Sequence, residues 1–231
     1  MNPRLSVAVA LISGLLAVPA VAQQAEDPEN DHRLGLWLDQ AISAGYARRT
    51  SLEFEFHQRF DDGASSLYEY FFQGGVAFRP RPWLTVLPSY RYQRYPGDPT
   101  IAFENRLLLN LTLSTSRARW RPMLRTLVEG RFPESRVASA RLRFRPGIEY
   151  TVPLRIKRPL VVVVSDEFFL VPGTNSFISR GAFTQNRFQA GIRLPIADSY
   201  SIRPYFLLQT MNRATGWEAN EIIGVSLGFR F

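Results

Sequence analysis

Phe103-Glu104-Asn105-Arg106-Leu107-Leu108-Leu109-Asn110-Leu111-Thr112-Leu113-Ser114 decides how this chain folds. Asn105, Leu107, Leu109, Leu111 and Leu113 recur at every second position, while Glu104, Arg106, Leu108, Asn110, Thr112 and Ser114 fill the gaps. Successive side chains of a β-strand point to opposite faces, so the rhythm predicts one oily face and one polar, charged face. The run is about 12 residues long, against roughly 5–6 for a strand in a soluble sheet. A tilted strand needs roughly 9–11 residues to cross the hydrocarbon of a bilayer.

The same period continues on both sides. Ala118, Trp120, Pro122, Leu124, Thr126 and Val128 oppose Arg117, Arg119, Arg121, Met123, Arg125, Leu127 and Glu129. Ala138, Ala140, Leu142, Phe144, Ile148 and Tyr150 oppose Arg141, Arg143, Arg145 and Glu149. Similar segments fall near 34–43, 50–60, 67–79, 82–93, 159–170, 182–194, 199–210 and 220–231. Short links at 79–82, 114–116 and 195–198 interleave with longer ones at 61–66, 94–101, 131–136, 171–181 and 211–219, as expected of periplasmic turns and outer loops. The fold predicted over residues 34–231 is all-β: a transmembrane antiparallel up-and-down β-barrel of 10–12 strands. The segments number eleven, but a bacterial single-chain barrel normally has an even number. Either 34–43 stays outside the closed wall, leaving ten strands, or one more segment joins it, making twelve.

In the last segment Ile223, Val225, Leu227, Phe229 and Phe231 alternate with Gly224, Ser226, Gly228 and Arg230. This is the pattern of a closing strand ending in the aromatic belt, with Phe229 and Phe231 as the signal for the barrel assembly machinery. At the other end, Arg4, an apolar run over 5–18 and small residues at Ala20 and Ala22 form a signal peptide over 1–22, cleaved before Gln23. Residues 23–33 are polar and read as an N-terminal segment outside the barrel. The chain has no cysteine, hence no disulfide, thiolate metal site or lipoprotein anchor. Loss of Arg4 leaves 27 basic residues against 20 acidic ones, a formal charge of +7. In an exported chain that balance favours outer-membrane lipid and lipopolysaccharide as partners and argues against nucleic acid. The expected location is the Gram-negative outer membrane.

Alternation assigns Glu104, Arg106, Arg119, Arg121, Arg125, Arg141, Arg143, Arg145, Glu149, Glu167 and Arg187 to the lumen, together with Glu53, Glu55, Arg59, Glu69, Arg91, Arg193 and Arg203. In a narrow bore, opposed charges pair across the space; an arginine excess would favour anionic small solutes, because a low-dielectric wall focuses the field of fixed charges. Strict alternation also puts either Asp166 or Glu167 on the lipid side, which a bulge or a place near the rim would resolve. Trp37, Tyr68, Tyr70, Phe72, Phe78, Trp83, Tyr90, Tyr92, Trp120, Tyr150, Tyr200 and Trp217 suit interfacial girdles.

The search for catalytic chemistry is short. Histidine occurs only as His32 and His57, too few for a histidine metal cluster. His57 shares a face with Glu55 and Ser51, which raises a lipid hydrolase or deacylase with His57 as base. Ser51, however, lies about 20 Å away along the strand, out of hydrogen-bond reach. No catalytic residue is assigned. No phosphate-binding loop or dinucleotide fingerprint occurs, and Gly74-Gly75 suits close packing in a curved wall. No cofactor is expected.

Glu104-Asn105-Arg106, the run Arg141-Leu142-Arg143-Phe144-Arg145-Pro146-Gly147-Ile148-Glu149-Tyr150, Asp166-Glu167-Phe168-Phe169 and Gln185-Asn186-Arg187-Phe188-Gln189-Ala190-Gly191 occur in this order. Together they resemble the outer-membrane barrels grouped as domain of unknown function 2490. The resemblance covers about 33–231, implies an exported barrel without an established activity, and carries no catalytic residue. A narrow channel or binding barrel for anionic solutes, a lipid hydrolase and a purely structural membrane protein are the three functions to weigh.

Overall fold

A computed structural model describes residues 34–231 except 62, 97, 99, 155, 173–182, 214 and 215. The signal peptide expected over 1–22, the polar segment 23–33 and most of the loop 171–181 lie outside the described residues. Long alternating segments cannot bury one face alone, and here they close on one another. The strands are β1 (Gly35–Ala47), β2 (Thr50–Asp61), β3 (Ser66–Arg81), β4 (Leu84–Arg94), β5 (Phe103–Ser114), β6 (Trp120–Pro133), β7 (Ser139–Thr151), β8 (Val161–Leu170), β9 (Phe183–Pro195), β10 (Tyr200–Arg213) and β11 (Gly216–Arg230). Each pairs with its sequence neighbour in antiparallel fashion, and β1 pairs with β11 to complete a closed barrel. Closure leaves no edge strand exposed.

Strand parity departs from expectation. Eleven strands close the wall: β1 is a full member, and it meets β11 in parallel from Gly35↔Ile222 to Ser43↔Arg230. An odd number of alternating strands brings the first and last strands together pointing the same way, so the seam has to be parallel. Phe231 continues it, donating its N–H to Ser43 O at 2.9 Å and accepting from Gly45 N at 2.8 Å. At the rim where β1 ends, the links are 48–49, 82–83, 115–119, 152–160 and 196–199. At the other rim, called the long-link rim after 171–182, they are 62–65, 95–102, 134–138, 171–182 and 214–215. The long link expected at 211–219 is therefore absent, because Asn212↔Trp217 and Arg213↔Gly216 continue the ladder. Polar strand ends there look like loop in the sequence.

The outer surface is oily. Leu107, Leu109, Val128, Ile192, Phe206 and Ile223 are all exposed on it. Aromatic residues collect at both ends: Tyr92 stacks on Phe103, and Phe183 bridges Phe168 and Trp217 at the long-link rim. Trp120 packs on Tyr150, and Tyr200 on Phe229 and Phe231, at the opposite rim. Two residues assigned to the girdles point inward instead. Trp37 is 4% exposed and donates Nε1–H to Tyr68 Oη at 3.1 Å. A register shift between Arg59↔Glu69 and Phe60↔Leu67 makes Tyr68 an extra residue, and such a bulge re-aims its side chain.

Asp166 faces outward, and of the two resolutions expected of it the bulge does not occur at this point. The ladder runs regularly through Asp166↔Phe188 and Glu167↔Arg187. Instead the Asn186 Nδ2–H donates to Asp166 Oδ1 at 2.6 Å on the outer face, and Glu167 turns into the lumen. Close packing explains the glycine at 75, where a Cβ would stand 2.5 Å from Pro88 O and 2.6 Å from Ser89 Cβ. At Gly224 a Cβ would overlap the ring of Tyr205, so that ring lies flat across the seam.

Candidate functional site

Register decides which inward residues meet. Glu104↔Pro133, Arg106↔Arg131 and Gln93↔Glu104 place β4, β5 and β6 side chains on one level near the long-link rim. There Glu104, 0% exposed, accepts from Arg106 Nε and Nη2 at 3.0 and 2.9 Å and from Arg131 Nε and Nη2 at 2.6 and 2.9 Å. Tyr95, just past β4, donates its hydroxyl to Glu104 Oε2 at 2.9 Å; burial pushes that phenol up to about 12. Two guanidiniums on one carboxylate leave no acceptor lone pair aimed at the bore.

One level deeper, Glu129 is also 0% exposed and accepts from Arg141 Nε at 2.7 Å and Arg143 Nη1 at 2.6 Å. Arg143 reaches on to Glu167 Oε1 at 2.7 Å, which Arg125 meets at 3.2 Å. The Phe169 ring, 0% exposed, lies beneath Arg141, Arg143 and Arg187, whose guanidinium carbons stand 5.1, 4.6 and 4.8 Å from its centroid. On the opposite wall Arg59 pairs with Glu69, and Phe71 stacks on His57 at 4.2 Å with Arg91 3.8 Å from its centroid. Cation–π contact lets these guanidiniums pack side by side in a narrow bore. Near the other rim Glu149 takes Arg193 at 2.6 Å and Arg121 at 3.3 Å.

His57 has carboxylates at both ring nitrogens: Asp39 Oδ1 lies 2.5 Å from Nδ1 and Glu55 Oε2 3.1 Å from Nε2. Tyr205 Oη donates to the other Asp39 oxygen at 2.7 Å. Asp39 and Tyr205 were not among the sequence-assigned site residues. The signal was present in the inward run Gly35, Trp37, Asp39, Ala41, had 34–43 been taken as wall.

Among the described residues, open space lies along the lumen at three levels. A chamber of about 580 Å³ lies at the long-link end, one of about 190 Å³ in the middle, and one of about 420 Å³ at the other end. The middle chamber shares Trp37, Arg59, Arg91, Arg143 and Arg187 with the first. Of the sequence-assigned lumen residues, Glu104, Arg106, Arg121, Arg125, Arg141, Arg143, Arg145, Glu149, Glu167 and Arg187 occupy inward register positions. Arg119 does not. It is exposed in the tight turn closed by Arg117 N–H to Trp120 O at 2.8 Å, where Ala118 takes φ 53°, so the strand rhythm was extended too far there. Phe229 and Phe231 sit at the seam's end on the outer side. Among the described residues no group of three or more His, Cys, Asp or Glu could hold a metal ion.

Fold and lumen together define an all-β closed barrel with a charge-packed bore. The chain belongs to the family described as protein of unknown function (DUF2490), whose model matches residues 34–220. No curated protein matches it.

Proposed function

We propose that this protein is exported behind a cleaved leader, is inserted by the assembly machinery into a Gram-negative outer membrane, and there binds and passes small anionic solutes through a narrow bore. Support for the membrane location comes from the exposed apolar belt, bounded at each end by aromatic residues, and from strands long enough to span it. The observation that carries the anion reading is the middle chamber, where seven arginines line the wall against three carboxylates. Fixed positive charge behind a low-dielectric wall concentrates anions.

Reconstitution in a planar bilayer tests this. The expected result is small, resolvable steps whose reversal potential in a salt gradient favours the anion; cation preference or a silent barrel overturns it. Fractionation tests the location: a folded, monomeric chain that stays soluble without detergent rules it out. The hydrolase reading finds less support, because a histidine with a carboxylate at each nitrogen has neither nitrogen free to take a proton from a hydroxyl. His57→Ala is therefore expected to leave any phospholipid or lipopolysaccharide deacylation unchanged.

A further inference from the structure

The charges around the middle chamber do not close among themselves. Asp39 is taken by His57 and Tyr205, Glu55 by His57, and Glu167 by Arg143 and Arg125. Arg59 is met by Glu69, and Arg143 also by Glu129. Four guanidiniums remain that, among the described residues, touch no carboxylate. Arg91 donates twice to Gln73 Oε1, at 3.1 and 2.8 Å. Arg145 donates to Ser165 Oγ at 3.0 Å and to Gln189. Arg187 donates to Gln209 Oε1 at 2.8 Å, and Arg203 lies 5.6 Å from the centroid of Tyr205. Their strands, β4, β7, β9 and β10, stand around the bore, so the four flank the chamber from different sides.

We propose that the middle chamber is a site for a compact oxyanion carrying two or more negative charges, of the phosphate or pyrophosphate class, held by Arg91, Arg145, Arg187 and Arg203. This rests on the reading that the lumen takes anions, and it adds the residues and the charge class. A guanidinium carries five N–H donors in a fixed fork; Arg91 and Arg145 each place two of them on neutral partners, Arg187 donates to the neutral Gln209, and Arg203 lies against the Tyr205 ring. Arg91 is buried and the other three are half-buried, and cations withdrawn from water without counter-charge are destabilising. A monovalent anion offsets one of the four; a multivalent oxyanion offsets several and accepts from two forks at once. Size sets the other limit, since about 190 Å³ is below the roughly 300–1,000 Å³ of sites for drug-sized ligands. A bilayer lipid headgroup would have to pass a wall closed on all sides, so the anion has to enter along the bore.

Trp37 lines the chamber, 4.8 Å from the guanidinium carbon of Arg187, and supplies the readout without any change to the site. In the detergent-solubilised full chain, sodium pyrophosphate is expected to shift the emission that Trp37→Phe removes, saturably, at concentrations at least tenfold below inorganic phosphate. Sodium chloride at matched ionic strength should leave it unmoved. Arg187→Gln and Arg91→Gln should each raise the pyrophosphate midpoint at least tenfold, while Arg119→Gln, in the exposed turn, should not change it. If chloride and pyrophosphate act alike at matched ionic strength on the unmodified chain, this site is overturned, and anion-selective current in the same preparation would leave the passage reading standing. A pyrophosphate-specific shift in a barrel that conducts nothing supports the site and removes the passage.

Discussion

The long-link level of the lumen and its middle chamber are built from the same residue types and come out differently. Around Glu104, arginines and carboxylate are fully engaged, and Arg106 and Arg131 are nearly inaccessible. Around the middle chamber, Arg91, Arg145 and Arg187 lean on glutamine and serine, and their charge is left facing open space. The directly opposed residue does not set the difference. Glu104 faces Gln93 and Pro133, and Arg106 faces Arg131, yet Arg106 reaches Glu104 along its own strand and Arg131 reaches it on the diagonal. Arg91 reaches only the Gln73 amide, and Arg187, although opposite Glu167, donates to Gln209. An arginine in a barrel can thus be filler or free charge according to the acceptor its side chain reaches across the stagger of the strands.

Removing the filler should have the largest effect. Glu104→Ala leaves two buried guanidiniums and the Tyr95 hydroxyl without their shared acceptor, and breaking a buried ion pair typically costs about 3–5 kcal/mol. Urea unfolding in detergent, followed by the electrophoretic shift of the folded barrel, should show that loss. A smaller change would mean that this level is not the brace its geometry implies.

The seam beside the middle chamber comes next. Gly224→Ala places a methyl into the Tyr205 ring, so the ring must swing and release Asp39. Overpacking of this kind costs about 1–3 kcal/mol, and the same unfolding measurement should resolve it. Tyr205→Phe in the same background separates steric from hydrogen-bond loss, since it gives up only the Asp39 bond, typically about 1 kcal/mol.

Arg91→Gln should cost less again, within about 1 kcal/mol, because it gives up hydrogen bonds to a neutral amide and no ion pair. Its expected signature is functional: reduced anion preference in the bilayer with the unfolding midpoint almost unmoved. If it destabilises the barrel as much as Glu104→Ala, the contrast between the two levels fails.

Much of this is legible in the sequence, and the reason is the period of two. The phase of Glu104, Arg106, Arg125, Arg143 and Glu167 follows from counting. Their partners do not, because Arg131 and Glu104, or Arg125 and Glu167, meet through the stagger of several strands, which alternation does not encode. Counting also failed where the rhythm breaks. The bulge turned Tyr68 inward and the tight turn put Arg119 on the surface. Asp39 was missed because an expected even number of strands left 34–43 unassigned, and the parallel seam admits it.

The smallest expected effect concerns two neighbours that alternation could not assign. Glu167 enters the lumen and is held by Arg143 and Arg125, whereas Asp166 stands on the outer face with the Asn186 amide as its partner. Asp166 lies close to the aromatic cluster of Phe168, Phe183 and Trp217, and a charge near the interface costs about 0–1 kcal/mol, against about 2–4 at the midplane for a basic side chain. Asp166→Asn should therefore change stability in vesicles by no more than about 1 kcal/mol, in the stabilising direction, because an amide keeps a hydrogen bond to Asn186 and sheds the charge. Glu167→Gln, one residue away, should destabilise, because Arg143 and Arg125 lose their shared counter-charge. If the two substitutions act in the same direction, the wall at this level does not divide outer face from lumen as the register implies.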